Sequence, residues 1–394
     1  MTRYYLNQAV RRVPGIEPGA APLAFHQRLP DYAPTPLVDA PQLARLLGVG
    51  QVWVKDESRR LGMPSFKILG ASYATYRALE ARLGGLPQWH TIEELSARCT
   101  SLRPFTLAAA TDGNHGRAVA RMARLLGFRA RIFVPAGTAQ ARIAAIASEG
   151  AEVIVVDGTY DDAVARSAEE VGPRCLVVSD TSWPGYEEIP RYVIEGYATI
   201  FGEVDAALAQ RGEPGPDLVV VQVGVGALAA AATGHYRRAR AGERGPAVLG
   251  VEPASAACVL ASVQAGRVVE VPGPHDSIMA GLNCGMPSLI AWPVISAGID
   301  AFVAIDDPRA CQAVRDLAAV GVTAGETGAA GLGGLTEALF GPDAQALRQH
   351  LRVSPETRVL LIATEGATNP AARARILAAD CARDCVVRPA CRGA

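Results

Sequence analysis

Lysine is almost absent from this 394-residue chain. Lys55 and Lys67 are the two that occur, and arginine supplies nearly all of the 38 basic residues. Aromatic residues are also scarce, at 6%, and neither sign of charge dominates: 38 basic residues face 39 acidic ones, for a net charge of −1. Without a positive field, nucleic acids and anionic membrane surfaces are not expected partners. No apolar stretch runs uninterrupted for about 18 residues, so no membrane-spanning helix is expected. The opening segment MTRYYLNQAVRRVPG lacks the apolar core of a secretory signal, which makes the cytoplasm the default location. No CxxC pair occurs among the eight cysteines, Cys99, Cys175, Cys258, Cys284, Cys311, Cys381, Cys385 and Cys391. Cys381, Cys385 and Cys391 have no neighbouring histidine, so no metal site is expected and most of the cysteines read as buried thiols.

What is present is apolar. A hydrophobic content of 49% with 20% charged residues supports a large core, and the length allows several domains or one two-lobed enzyme. Short β-branched runs recur: QVWVKDE (51–57), FTLAAATDG (105–113), ARIFVP (130–135), AEVIVVDG (151–158), RCLVVSD (174–180), DLVVVQVG (217–224), AVLGVEP (247–253) and TRVLLIATEG (357–366). Most are apolar at successive positions, as expected of strands buried on both faces of a parallel sheet. Helical patterns lie between them. GRAVARMARLLG (116–127) places Val119, Met122, Ala123 and Leu126 on one stripe and ends at Gly127. TAQARIAAIASEG (138–150) has the same form, with Thr138 as the expected N-cap and Gly150 as the stop. The expected fold is α/β, two-lobed, with parallel-rich open sheets flanked by helices. AQRGEPGPD (209–217) reads as an exposed joint between the lobes.

Ligands of parallel α/β folds sit at the carboxyl ends of strands, and four such ends are unusual here. ATDGNHG (110–116) brings Asp112, Gly113, Asn114 and His115 to a strand-to-helix turn; an ordinary turn with an Asp cap is the plain alternative. VGVGALAAA (223–231) sets Gly224 and Gly226 before an Ala-rich helix, a phosphate-binding arrangement without the full G-x-G-x-x-G or the P-loop Gly-Lys-Ser/Thr. ATEGATNP (363–370) presents Thr364, Glu365 and Thr368. Asp180 closes a strand near Trp183 and Tyr186, where a lone Asp is commonly a helix cap. Lys67, in the stretch MPSFKILGAS, opens a helix among apolar and small residues, which lower an amine's proton affinity from about 10.4. A neutral amine can form a Schiff base, and phosphate, aldehyde and lysine together indicate pyridoxal 5'-phosphate.

The SFK stretch, the Gly-Asn-His-Gly loop, the later Gly-rich loop and the Thr-bearing loop near the C-terminus resemble the tryptophan-synthase-like, fold type II class of pyridoxal phosphate enzymes. That resemblance spans most of the chain and implies a large cofactor-binding domain from residues 1–100 and 206–394, with a small domain from 101–205. ATDGNHGRAVA, DTSWPGYEEIPRYVIEGYATI, IMAGLNCGMPS and IATEGATNP resemble the diaminopropionate ammonia-lyase family more narrowly. That implies elimination of ammonia from 2,3-diaminopropionate to give pyruvate, in a homodimer. Carried over by position, Lys67 would hold the cofactor as a Schiff base. Gly224, Val225, Gly226, Ala227 and Leu228 would bind its phosphate, Asn114 would meet its phenolic oxygen, and Thr364 its pyridine nitrogen, with Thr368 as the alternative. Asp112 and Asp180 would be the added acid–base and recognition groups, and Ser65, Gly113 and His115 would help bind substrate.

Electrostatics agrees with the narrower resemblance. Asp112 stands where serine and threonine dehydratases usually carry serine, and an ionised Asp112 would repel a substrate carboxylate by several kcal/mol at an effective ε of about 20. A substrate that also carries a β-ammonium offsets that cost, and a nearby carboxylate helps keep the leaving nitrogen protonated. The rival readings are a serine or threonine dehydratase, a β-replacement synthase, and a non-catalytic nucleotide- or amino-acid-binding protein. Cys258 and Cys284 flank the motifs, and whether they pair is not legible from spacing.

Overall fold

A computed structural model describes residues 3–10, 13, 19–111, 113–237 and 245–378. Asp112, Cys381, Cys385 and Cys391 therefore lie outside the described residues. Among those described, the strands in chain order are β1 (Tyr4–Leu6), β2 (Leu37–Asp39), β3 (Gln51–Asp56), β4 (Thr106–Ala110), β5 (Arg129–Pro135), β6 (Glu152–Val156), β7 (Cys175–Val177), β8 (Leu218–Gln222), β9 (Ala247–Pro253), β10 (Ala301–Ile305) and β11 (Arg358–Ala363).

They form two sheets. One has seven strands in the order β1-β10-β9-β8-β11-β3-β2, the other four in the order β6-β5-β4-β7. All pairings are parallel except β1 with β10 and β2 with β3, at the two edges of the larger sheet. Every residue of β8, β9 and β10 is buried, as expected of near-continuous apolar runs covered on both faces, with Gln222 and Glu252 the polar exceptions. β1, β2 and β10 are additions to the sequence reading. β1 and β2 are three residues long and partly exposed, which is too short for a periodicity to register.

The helix Asn114–Leu126 buries Val119, Met122, Ala123 and Leu126 and stops at Gly127, which has φ 68°. The next helix, Gln140–Ala147, departs from expectation at its start. Its N-cap is Ala139, while the Thr138 hydroxyl donates to the Pro135 carbonyl at 2.8 Å and so closes the preceding turn instead. Residues 212–217 form a mostly exposed loop between the 24-residue helix Glu188–Arg211 and β8, so the expected joint at 209–217 begins inside that helix.

Two features fix the helix that begins at Lys67. It crosses the helix Glu188–Arg211 at near backbone contact. A Cβ added at Gly70 would stand 2.5 Å from the Tyr197 ring, and one at Gly196 would stand 2.6 Å from the Leu69 carbonyl oxygen. His26 reinforces the crossing. Its Nε2–H donates to the Leu69 carbonyl at 3.0 Å, and its Nδ1 accepts from the Thr199 hydroxyl at 2.8 Å. Burial drives the His26 pKa down to about 3, so the ring is neutral.

The loop that leads into this helix is anchored by a buried charge cluster. Glu203 accepts from Lys55 at 2.6 Å and from Arg60 at 2.7 Å, and Arg60 also donates to Glu57 at 2.6 Å. All four side chains are nearly inaccessible. Tyr32 and the Thr35 N–H complete the oxygens of Glu203. Burial alone would raise the Glu203 pKa, but the Arg60 and Lys55 charges hold it down at about 2.

Both groups have folded pKa values below their unfolded values, so each contributes stability at high pH that is lost on acidification. Stability should fall first as pH drops from 6.5 toward 3 through His26, then from 4.5 toward 2 through Glu203. In urea melts across that range, His26→Gln should flatten the upper limb. Glu203→Gln should cost about 3–5 kcal/mol at neutral pH, because it leaves the two buried cations short of a counter-charge.

Candidate active site

The site lies where strand ends of the two sheets meet. β8, β11 and β3 are neighbours in the larger sheet, and the segments after them carry residues 223–228, Thr364 with Glu365, and Lys67. β4 and β7 are neighbours in the smaller sheet and lead to Asn114 and Asp180. One cavity is lined by Lys67, Asn114, Asp180, Thr364 and the loop residues Gly224, Val225, Gly226, Ala227 and Leu228.

Lys67 is the first residue of its helix. The Ser65 hydroxyl oxygen accepts from the Lys67 N–H at 3.4 Å, and the Phe66 N–H donates to the Thr364 carbonyl at 3.2 Å. The helix start is therefore tied directly to the segment after β11. The amine itself corrects one expectation. It does not sit in purely apolar surroundings, because Nζ donates to Asp180 Oδ2 at 2.5 Å.

Asp180 is 4% exposed and is held from several sides. The Tyr160 hydroxyl donates to its Oδ1 at 3.0 Å, and His115 Nδ1 lies 3.9 Å from Oδ2. Burial would favour a protonated carboxyl. The charges of Lys67 and His115 and the hydrogen bonds of Lys67 and Tyr160 reverse that and hold it well below the usual carboxylate range. The loop bearing Asp180 is pinned by an aromatic pair. Trp183 and Tyr186 stack at 4.1 Å, and the Tyr186 hydroxyl donates to the Val177 carbonyl at 2.6 Å while accepting from the Ser179 N–H at 3.1 Å. Asp180 is thus an ion-pair partner in the cavity and not a simple helix cap.

The phosphate candidate is the start of the helix Ala227–Tyr236. Its N-cap, Gly226, has φ 100° and offers no side-chain cap, so the first N–H groups have no partner within the helix. A Cβ at Gly226 would stand 2.8 Å from Ile295 Cδ1, and one at Gly224 would stand 3.2 Å from the Gly281 carbonyl. Both glycines are closely packed by the segments around them, and the positive φ of Gly226 disfavours any side chain there. An anion-binding backbone, a primary amine and a pair of side-chain hydrogen-bonding groups fit pyridoxal phosphate, whose phosphate residues 224–228 could hold and whose aldehyde Lys67 could hold.

Residues 29–365 match the family described as pyridoxal-phosphate dependent enzyme. The chain belongs to that family. It is 37% identical over 366 residues to diaminopropionate ammonia-lyase of Salmonella typhimurium, covering 88% of this chain and 89% of the relative. Against the Escherichia coli K12 ammonia-lyase of the same name the identity is 38% over 357 residues, covering 88% and 87%. The crystal structure of the holo Escherichia coli diaminopropionate ammonia lyase superposes with a TM-score of 0.85 at 33% identity, covering 95% of this chain and 96% of that one. Its complex with D-serine gives 0.86 at the same identity and coverage. The expected fold type II architecture and the pyridoxal phosphate cofactor hold for this family member.

Other candidates stand back from the cavity. Ser65, Gly113 and His115 do not line it. His115 packs behind Asp180, donating from Nε2 to the Val178 carbonyl at 2.7 Å. Gly113 caps the helix Asn114–Leu126, and its N–H donates to the Thr111 hydroxyl at 2.8 Å. Thr364 lines the cavity, whereas Thr368 does not and has its hydroxyl 3.5 Å from Arg142. Asn114 donates from Nδ2 to Glu365 Oε2, a contact that bridges the two sheets. Cys258 and Cys284 are both thiols, not a disulfide, and both border Gly224. Among the described residues no cluster could hold a metal ion, and no helix is long and apolar enough to cross a membrane.

Sequence reasoning did not single out Tyr160 or Gln222 and named Glu365 only in passing, yet all three line the cavity. Gln222, at the end of the buried β8, carried a signal as the one polar residue closing an apolar run. Tyr160 carried none, since it opens a helix after an unremarked turn.

The Lys67–Asp180 pair can be tested without cofactor. Lys67→Ala should destabilise the apo-protein by about 3 kcal/mol, by stranding a buried carboxylate. Adding Asp180→Asn should recover much of that loss in denaturant melts, where two independent costs would simply add.

Proposed function

We propose that this chain is a carbon–nitrogen lyase that eliminates ammonia from 2,3-diaminopropionate, yielding pyruvate and a second ammonia after hydrolysis. What carries the reading is the Lys67–Asp180 ion pair beside the phosphate cradle, together with relatives of that activity matched over nearly their whole length. Bound pyridoxal phosphate supplies an electron sink for negative charge developing at the substrate's α-carbon.

The chain's own side chains supply the rest. Lys67 would hold the cofactor covalently until the substrate amine takes its place. The freed Lys67 amine would be the base for the α-proton of one enantiomer, and Asp112 for the other. Asp180 responds to the state of Lys67. Its carboxylate is held ionised against burial chiefly by the Lys67 charge, so it takes up a proton more readily whenever that charge is lost. That makes Asp180 a proton store for the departing β-nitrogen, which must leave as ammonia. Tyr160 fixes the orientation of the carboxylate.

Gly224, Val225, Gly226, Ala227 and Leu228 take the phosphate, Asn114 the phenolic oxygen, and Thr364 the pyridine nitrogen. A neutral hydroxyl at that nitrogen limits charge delocalisation into the ring and favours prompt loss of a β-group over transamination. The reading includes a small domain from 101–205 and a large one from 1–100 and 206–394, supported by the division into two sheets. It also includes a cytoplasmic homodimer in amino-acid catabolism.

Pyruvate should form from both isomers of diaminopropionate faster than from serine or threonine. Serine is included because the similar Escherichia coli lyase has been crystallised with D-serine. Lys67→Ala should abolish turnover and leave no lysine at the cavity for borohydride to trap on the cofactor. Asp112→Asn should impair one isomer more than the other. A dehydratase would prefer the hydroxy amino acids, and a synthase would form a new amino acid when given a nucleophile.

A further inference from the structure

Gln222 closes β8 and lies immediately before the phosphate cradle, 3% exposed. Its carboxamide is oriented by its surroundings. Nε2 lies 3.0 Å from the Ile362 carbonyl, 3.1 Å from the Thr327 carbonyl and 3.2 Å from the Gly328 carbonyl. Carbonyls only accept, so the nitrogen must face them and the amide cannot be flipped. The fourth neighbour of Nε2 is the Thr364 hydroxyl oxygen, at 3.1 Å.

The two Nε2 hydrogens are shared among these four oxygens, and because an amide nitrogen does not accept, the Thr364 hydroxyl cannot donate to it. The hydroxyl hydrogen must then point elsewhere, and Thr364 lines the cavity. Gln222 Oε1 has no hydrogen-bond partner among the described residues and faces Gly331. A buried oxygen left unpaired is a cost, so the amide is not placed there to satisfy its own carbonyl. Its contribution lies on the nitrogen side.

We propose that Gln222 is a positioning residue that fixes the Thr364 hydroxyl as a hydrogen-bond donor toward the cofactor ring. This rests on the reading above, in which Thr364 meets the pyridine nitrogen. A donor there pairs with an unprotonated ring nitrogen and disfavours a protonated one. Glutamate at 222 would reverse the polarity. The hydroxyl would donate to the carboxylate and turn a lone pair toward the ring, favouring a protonated nitrogen.

The test uses holoenzyme reconstituted with pyridoxal phosphate labelled with nitrogen-15 in the ring. The ring nitrogen should resonate as unprotonated in the wild type and shift toward the protonated position in Gln222→Glu. Cofactor dissociation constants for Gln222→Met, Thr364→Val and the double variant give a second measurement that does not depend on the Glu variant folding. Gln222→Met should weaken cofactor binding by about three- to tenfold and add little on top of Thr364→Val. A protonated nitrogen in the wild type, an unchanged nitrogen in folded Gln222→Glu, or strictly additive losses would overturn the proposal. Borohydride trapping of wild-type holoenzyme separates the two levels. Cofactor fixed on Lys67 with any of those results sinks the role of Gln222 alone, whereas no cofactor on Lys67 sinks the reading beneath it.

Discussion

The contact between Lys67 Nζ and Asp180 Oδ2 joins two loops that approach the cavity from different sheets. A carboxylate buried to that degree is tolerated only with a cation beside it. Each partner is also held from behind. Lys67 is positioned by a helix start bonded to Thr364 and by the close Gly70–Gly196 crossing. Asp180 is positioned by the Trp183–Tyr186 stack and by Tyr160. The pair therefore ties the two sheets together at the cavity.

A second buried charge cluster, Lys55, Glu57, Arg60 and Glu203, does a different job. It lies on the strand and loop that deliver Lys67 and fastens them to the helix whose Gly196 touches Leu69. Both lysines of the chain thus end in ion pairs with buried carboxylates. Their surroundings distinguish them: Lys55 is sealed at 1% exposure, whereas the Lys67 side chain keeps 18% and opens on the cavity. Access, not charge, separates the structural amine from the one available for chemistry.

Much of the fold was legible because burial on both faces imposes unbroken apolar runs. The eight strands read from the sequence match β3 to β9 and β11 to within a few residues. β1 and β2, at three residues each, carry too few positions for a pattern. Thr138 misled because its hydroxyl serves a turn and not the helix it precedes. In the site, Lys67, Asn114, Thr364 and the Gly224–Gly226 loop were legible from local chemistry at strand ends. His115 looked equally suitable in the sequence, yet its ring is turned away to the Val178 carbonyl.

By itself, the sequence determined the α/β class, the Gly-rich cradle and a lysine suited to a carbonyl cofactor, because backbone conformation and local burial follow from nearby residues. It also carried, through Asp112 and Asp180, the hint of a cationic substrate. Only the tertiary structure decided that Asp180 pairs with Lys67 across 113 positions of chain, that Tyr160 orients it, and that Gln222 reaches Thr364. Those contacts depend on strand order: β8 beside β11 and β4 beside β7 bring together loops that no local pattern relates.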